Sequence, residues 1–110
     1  MSKLDVCRDY FSAFERKDLV RLSNIYADNV SLVDWEVSVE GKDKLLEENS
    51  KLFKSSGDIS IELKKSYQDA DTVICELQIN LDKPKMLLKV TDIIGVNNSG
   101  QIASISAYKQ

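Results

Sequence analysis

Apolar residues with the period of an α-helix mark the first part of the chain. A first helix is predicted by four apolar side chains that recur every three or four residues: Leu4, Cys7, Phe11 and Phe14. Ser2 is suited to cap its N-terminus, and the helix should end near Lys17. Asp18 is placed to cap a second, shorter helix. Four residues form the apolar face of that helix: Leu19, Leu22, Ile25 and Tyr26.

A short strand and a third helix come next. Asp28 and Asn29 form a typical turn pair after the second helix. A strand is predicted from Val30 to Asp34, followed by a loop to Gly41. The third helix is predicted from about Lys42 to Lys54. Its inner face has five members: Leu45, Leu46, Asn49, Leu52 and Phe53.

The second half of the chain has a period of two, which is typical of half-buried β-strands. The inward positions of the first two strands are Ile59, Ile61, Leu63, Val73, Cys75, Leu77, Ile79 and Leu81. Those of the next strand are Met86, Leu88, Val90, Asp92, Ile94 and Val96, and a last strand runs from Ile102 to Tyr108. Three polar turns separate the strands: Gln68–Asp71, Asp82–Lys85 and Asn97–Gly100.

This order of elements predicts an α+β fold. Strands joined by such short turns must be antiparallel, and helices segregated from them pack on one face of the sheet. We therefore expect one domain, residues 1–110, with three N-terminal helices packed on a curved, mainly antiparallel sheet. A curved sheet closed by helices encloses a conical cavity suited to a small apolar ligand.

Two carboxylates fall on positions that should face this cavity or the core. Asp34 follows Val30 and Leu32 on one face of its strand, since side chains alternate every second residue. Asp92 lies between Val90 and Ile94 in a core-facing row. A carboxyl group there is paired, lines a cavity or is kept neutral by desolvation. Both are therefore candidates for chemistry.

Composition narrows the classes of function. The chain has 110 residues, 43% of them hydrophobic, and a net charge of −3. An acidic balance with interspersed charges argues against a nucleic-acid partner. The N-terminus has no apolar signal region and no run approaches the length of a membrane span. We expect a cytoplasmic protein with no membrane partner.

The sequence contains no histidine and two cysteines. Histidine-dependent nucleophiles and histidine-ligated metal sites are thereby excluded, so acid–base chemistry must fall to the remaining titratable residues. Cys7 and Cys75 are in phase with apolar neighbours and are predicted to be buried, reduced thiols. We expect no metal site.

Several of these features together resemble the ketosteroid isomerase-like domains. The likeness rests on the Tyr26-Ala27-Asp28-Asn29-Val30 segment, Asp34, the Glu40-Gly41 helix start, Asp92, and the closing Asn98-Ser99-Gly100-Gln101-Ile102 … Tyr108 hairpin. These domains belong to the nuclear transport factor 2-like superfamily, which also holds the SnoaL-type polyketide cyclases. The resemblance covers nearly the whole chain and implies the cystatin-like cone.

The resemblance also implies roles for three residues. Asp34 occupies the position of the family's general base. Tyr10, eight residues before Asp18, and Asp92 match the two hydrogen-bond donors that stabilise an enolate oxygen. The implied activity is a cofactor-free isomerisation or cyclisation that proceeds by proton transfer next to a carbonyl.

Two departures from the family bear on the substrate. Trp35 stands where the family usually has proline, and the loop from Asp34 to Gly41 is shorter than in the steroid enzymes. We therefore expect a smaller, apolar, carbonyl-containing ligand, or none. Four apolar side chains are predicted to contact it: Trp35, Phe14, Phe53 and Met86.

Structural roles remain alternatives for the same residues. Asp34 could bind backbone N–H groups near Trp35, and Asp92 could bond a neighbouring side chain or water. Tyr10 could be a core tyrosine whose hydroxyl bonds Asp92 or the backbone. The chain would then be a non-catalytic ligand-binding or dimerisation domain. Under either interpretation, five apolar residues are predicted to lie on the outer face of the sheet and to form a homodimer interface there: Leu87, Ile93, Ala103, Ile105 and Ala107.

Overall fold

Three helices pack on one face of a six-stranded sheet in the computed structural model, which describes residues 2–110. The helices are α1 (Lys3–Glu15), α2 (Leu19–Ile25) and α3 (Lys42–Ser55). The strands are β1 (Tyr26–Val33), β2 (Ser38–Glu40), β3 (Ile59–Asp69), β4 (Thr72–Asp82), β5 (Lys85–Val96) and β6 (Ile102–Lys109). The α+β architecture is as predicted. Only α1 and α2 precede the first strand, because α3 follows the β1–β2 hairpin.

The sheet is mixed, with the strand order β2-β1-β6-β5-β4-β3. β1 runs parallel to β6, and every other neighbouring pair is antiparallel. One strand had not been predicted, since β2 lies within the segment expected to be a loop. Its three residues are too few to show an alternating pattern, and pairing with β1 defines them as a strand.

The first two helices begin where capping residues were expected. The Ser2 hydroxyl accepts a hydrogen bond from the backbone N–H of Asp5, and the Asp5 carboxylate accepts one from the Ser2 N–H. This capping box satisfies two backbone donors that the helix leaves free. The Asp18 carboxylate accepts from the Arg21 N–H at 2.9 Å and caps α2 in the same manner.

The end of α2 differs from the sequence prediction. Tyr26 was assigned to the apolar face of α2, and Asp28 and Asn29 to a turn, but all three belong to β1. Tyr26 pairs with Ile102 of β6 in the parallel register. This long-range pairing overrides the local helical spacing, which had included Tyr26 in the helix.

A bulge in β6 reverses the expected orientation of its second half. Ile94 pairs with Ile105 and Val96 with Ile102, so β6 has one residue more than β5 between the two pairs. The extra residue turns Ile105 and Ala107 to the inner face. Their predicted place in an outward apolar set is therefore wrong.

The core lies between the three helices and the inner face of the sheet. Its largest fully buried members are Tyr26, Leu22, Leu45, Ile94, Ile102 and Ile105. Cys7 and Cys75 are both free and buried, which confirms their sequence-based assignment. Within residues 2–110, none of the helices is long and apolar enough to cross a membrane.

Candidate active site

A cavity of about 500 Å³ lies between α1, α3 and the inner face of the sheet. Its walls are mainly aliphatic side chains from β3, β4 and β5. Three of the polar groups that face it carry most of the available chemistry: Tyr10, Asp34 and Asp92. The structure therefore brings the three sequence-predicted catalytic candidates to one cavity.

Asp92 is the more deeply buried of the two carboxyl groups. Its side chain is 6% exposed and extends from the middle of β5, where Val90 and Ile94 flank it on the inner face. Desolvation is the main cause that raises its pKa from 3.8 to about 7, and the negative charge of Asp34 adds to the effect. Near neutral pH a large fraction of Asp92 is therefore a neutral acid that can donate a hydrogen bond.

The Asp92 carboxyl group faces the cavity without a partner among residues 2–110. The Asp92 carboxyl oxygens take part in no hydrogen bond with residues 2–110. Every polar side-chain atom of these residues that is fully enclosed has a hydrogen-bond partner. The carboxyl oxygens must therefore be accessible from the cavity that Asp92 lines. This excludes the alternative in which Asp92 is bonded to a neighbouring side chain.

Tyr10 presents a neutral hydroxyl beside Asp92. Its ring is held on α1 by Phe11, Phe14 and Tyr26, with centroid distances of 5.4, 5.9 and 6.0 Å. Burial first, and then the nearby Tyr26 and Asp92 groups, raise its pKa well above 10.0. The hydroxyl thus keeps its proton at physiological pH and can act as a donor.

Asp34 follows the last residue of β1 and bridges a tight turn. Its Oδ1 atom accepts hydrogen bonds from the backbone N–H groups of Glu36 at 2.7 Å and Val37 at 2.8 Å. The turn-bonding role considered as an alternative is therefore present. It uses only Oδ1, so Oδ2 accepts no bond from residues 2–110 while Asp34 lines the cavity. The turn holds the carboxylate in a defined orientation.

The apolar residues predicted to contact a ligand divide into two groups. Phe14, Trp35 and Met86 line the cavity. Trp35 is 40% exposed, with the Lys109 Nζ atom 5.4 Å from its ring, and Met86 is 43% exposed, so both lie at the mouth and neither fills the cavity. Phe53 does not line it. That residue lies one layer deeper, because its ring packs edge-on against Phe14 with centroids 4.9 Å apart.

Asn49 is a cavity residue that had not been predicted as part of a site. It lies on α3 and is 6% exposed, and its Oδ1 accepts a hydrogen bond of 2.7 Å from the Tyr26 hydroxyl. The sequence pattern could have indicated this residue, since Asn49 is the one polar member of the predicted inner face of α3. The tyrosine partner could not be found because Tyr26 had been placed in a helix.

The site has no arrangement typical of a metal centre. Within residues 2–110, no group of three or more Cys, Asp or Glu side chains is placed to hold a metal ion. The polar groups that line the cavity are carboxyl, hydroxyl, amide and amine groups, the last from Lys83 and Lys109.

Comparison with known proteins places this geometry in a family. The SnoaL-like domain profile matches residues 7–105. A search of curated proteins gave no sequence match. An LEH-like epoxide hydrolase from M. tuberculosis superposes with a TM-score of 0.88 at 13% identity, covering 98% of this chain and 82% of that one.

Two further solved structures agree in fold. A protein of Sinorhizobium meliloti provisionally named a polyketide cyclase has a TM-score of 0.85 and 19% identity, covering 97% of this chain and 99% of that one. A protein of Kribbella flavida provisionally named a ketosteroid isomerase has a TM-score of 0.84 and 14% identity, covering 98% and 77%. At such identities the likeness shows the fold alone. Since the profile match spans most of the chain and the architecture agrees with it, the chain belongs to the SnoaL-like domain family and has the ketosteroid isomerase-like fold.

Proposed function

We propose that the protein is a cofactor-free isomerase or cyclase that transfers a proton next to a carbonyl group. The observation that carries the proposal is Asp92, a buried carboxyl group with its pKa raised to about 7 that faces the same cavity as Asp34. Two carboxyl groups in such different surroundings are suited to opposite roles. One acts as a base, and the other stays protonated as a donor.

In the proposed first step, Asp34 takes a proton from the carbon next to the carbonyl. The C–H bond breaks, its electron pair forms a carbon–carbon double bond, and the carbonyl oxygen gains the negative charge. Tyr10 and neutral Asp92 donate hydrogen bonds to this oxygen. Donors already oriented toward charge that develops in the transition state lower the barrier with little reorganisation.

The second step decides between two outcomes. If protonated Asp34 returns the proton to a different carbon of the conjugated enolate, a double bond migrates. If the enolate carbon attacks a carbonyl carbon within the same molecule, a ring closes and the new alkoxide takes the proton. Both outcomes balance without an oxidant, a metal or an organic cofactor.

The cavity supports a small apolar ligand. Its volume of about 500 Å³ lies within the range of small-molecule sites. Aliphatic walls favour an apolar body, and the reactive carbonyl would point to Tyr10 and Asp92. Phe14, Trp35 and Met86 would contact the remainder of the molecule. The open cavity argues against a purely structural domain, and the raised pKa of Asp92 beside Asp34 favours catalysis over ligand binding alone.

The first test replaces Asp34 with asparagine. The amide oxygen of Asp34→Asn can still accept the N–H groups of Glu36 and Val37, so the turn and the stability should be retained. We expect the exchange of α-protons of 3-cyclohexen-1-one in D₂O, and its conversion to the conjugated ketone, to fall by about 10²- to 10⁴-fold. Proton NMR measures the exchange and ultraviolet absorbance the conversion.

Asp58→Asn is the matched control for this test, because Asp58 is exposed and does not line the cavity. The control should exchange protons at the wild-type rate. Wild-type protein that exchanges no faster than buffer, or an Asp34→Asn variant with unchanged exchange, would contradict the proposal.

We also propose that two copies pair through the outer face of the sheet. Tyr67 pairs with Ile74, and Ile74 with Ile93, so three apolar side chains form a row across β3, β4 and β5 on that face. Leu87 is 52% exposed there and Tyr108 is 60% exposed. A face of this kind favours burial against a second, identical face.

A further inference from the structure

We infer that Asn49 is a ligand-binding residue whose side-chain amide donates a hydrogen bond to a second oxygen atom of the substrate. The substrate would then carry a carbonyl group at Tyr10 and Asp92 and a further oxygen acceptor at Asn49. The inference rests on the proposed function for the first of these two oxygens. The Asn49 contact itself rests on the geometry of the cavity wall.

Asn49 is held rigidly at this wall. It lies on α3 between Leu45 and Phe53, and all three side chains are more than nine-tenths buried. The hydrogen bond from the Tyr26 hydroxyl to Oδ1 is short at 2.7 Å, and Tyr26 is fully buried. An amide fixed at its oxygen cannot rotate freely, so its nitrogen also has a defined direction.

The nitrogen of this amide has no hydrogen-bond partner in the part of the chain that the structure describes. Asn49 Nδ2 donates no hydrogen bond to residues 2–110. Every polar side-chain atom of these residues that is fully enclosed has a hydrogen-bond partner. Nδ2 must therefore be accessible from the cavity that Asn49 lines. A carboxamide with one end bonded and the other aimed into an apolar cavity leaves two donors unused. Leaving them without an acceptor is costly.

The direction of the Tyr26 hydroxyl determines which kind of ligand atom can fill this position. Burial is the main cause that raises the Tyr26 pKa above its ordinary value, so the hydroxyl keeps its proton. The Tyr26 hydroxyl donates this proton to the Asn49 oxygen, and the group left for the cavity is the amide N–H₂. Only an acceptor can bind there, which means a carbonyl, ether or hydroxyl oxygen.

The two donor sites are linked through Tyr26. The Tyr10 and Tyr26 rings have centroids 6.0 Å apart, and the Tyr26 hydroxyl connects this pair to Asn49. A small molecule can therefore reach both sites only if its two oxygens are separated by a few bonds. The substrate class that fits is a compact apolar dicarbonyl or hydroxy-carbonyl compound, rather than a simple ketone.

The test uses two pairs of phenols, and the members of each pair differ in a carbonyl oxygen that replaces two hydrogens. Their phenol hydroxyl substitutes for the enolate oxygen at Tyr10 and Asp92. 3- and 4-hydroxyacetophenone carry a second oxygen acceptor, whereas 3- and 4-ethylphenol do not. Titration followed by NMR gives the dissociation constants, and the side-chain N–H₂ resonances of Asn49 are followed in ¹⁵N-labelled wild-type protein.

We expect the better-fitting hydroxyacetophenone to bind about twofold to tenfold more tightly than its ethyl counterpart, as one additional hydrogen bond predicts. The Asn49 amide proton should move downfield with that ketone and not with the ethylphenol. Asn49→Asp keeps an acceptor for Tyr26 but removes the donors, and it should abolish the preference. The exposed control Asn80→Asp should keep it.

Because the first two readouts use wild-type protein, the inference can be tested even if the variant fails to fold. Equal affinities within each pair, or an Asn49 amide resonance that does not respond to either ketone, would overturn it. A ketone preference in a protein that exchanges no α-protons would reject the proposed catalysis but retain the Asn49 site. Proton exchange without the ketone preference would support the proposed catalysis and reject the Asn49 site.

Discussion

At the scale of single residues, the candidate site depends on how burial separates two carboxyl groups. Asp92 lies in an apolar row of β5 and has its pKa raised to about 7, while the Asp34 carboxylate is held by backbone N–H groups at a half-buried turn. The inward direction of both side chains was predictable from alternation along the strands. Asn49 was visible as a polar residue on an apolar helix face, but its bond to Tyr26 depends on a residue 23 positions away in sequence.

The raised pKa of Asp92 predicts how stability depends on pH. Unfolded chain releases this proton near pH 3.8 and the folded protein near pH 7, so the folded state binds more protons between these values. The contribution of Asp92 is therefore fully present below about pH 4 and is lost as pH rises through 7. The loss amounts to at most about 4 kcal/mol, at about 1.4 kcal/mol for each pKa unit.

Asp92→Asn should remove this dependence. We expect the free energy of unfolding of the variant to exceed that of the wild type at pH 8 and the difference to shrink or reverse at pH 4. Urea denaturation at several pH values measures it, with Asp58→Asn as the control for loss of an exposed carboxylate. A constant difference between pH 4 and 8 would mean that Asp92 titrates as an ordinary surface acid.

At the scale of elements, the bulge in β6 determines which residues face the cavity. It lies next to the Gly95–Ser104 pair, and beyond it Ile105 and Ala107 point inward. A sequence pattern with a strict period of two places these two residues on the opposite face. Alternation therefore describes a strand only as far as the first irregularity, and the bulge is defined by its partner strand.

Gly95 allows the close approach of Ser104 beside this bulge. A Cβ atom at Gly95 would lie 2.4 Å from the Ser104 Oγ atom but 3.7 Å from its Cβ. We expect Gly95→Ala to lower the free energy of unfolding by about 1 kcal/mol, since the serine hydroxyl must move. Chemical denaturation measures the effect.

A double-mutant cycle separates this contact from other effects of the glycine. In a Ser104→Ala background the clash is removed, and Gly95→Ala should become neutral or stabilising because alanine loses less backbone entropy than glycine. An equal loss in both backgrounds would show that the Ser104 hydroxyl is not the cause.

At the scale of the whole molecule, the helices close one face of the sheet over the cavity and leave the other face uncovered. The inner face is filled at one end by the core and hollow at the other, where Tyr10, Asp34 and Asp92 meet. The outer face carries the row of Tyr67, Ile74 and Ile93. The first surface supports the proposed chemistry and the second supports the proposed pairing.

One chain has a mass of 12.4 kDa. If two copies pair through the outer face, light scattering after size-exclusion chromatography should give twice this mass. Ile93→Lys places a charge at the β5 end of the row and should give the monomer mass. Val20→Lys makes the same type of change on α2, where Val20 is 74% exposed, and should leave the dimer intact. A wild-type protein with the monomer mass at about 100 µM would contradict the proposed pairing.

The sequence by itself determined the features that depend on near neighbours. Helix and strand periods, the Ser2 and Asp18 caps, and the inward phase of Asp34 and Asp92 follow from spacings of a few residues, because local geometry decides which face a side chain takes. The tertiary structure alone decided the placement of Tyr26 in β1, the strand β2, the inward turn of Ile105, and the separation of Phe14 from Phe53. Each of these depends on a partner distant in sequence, and no local spacing records it.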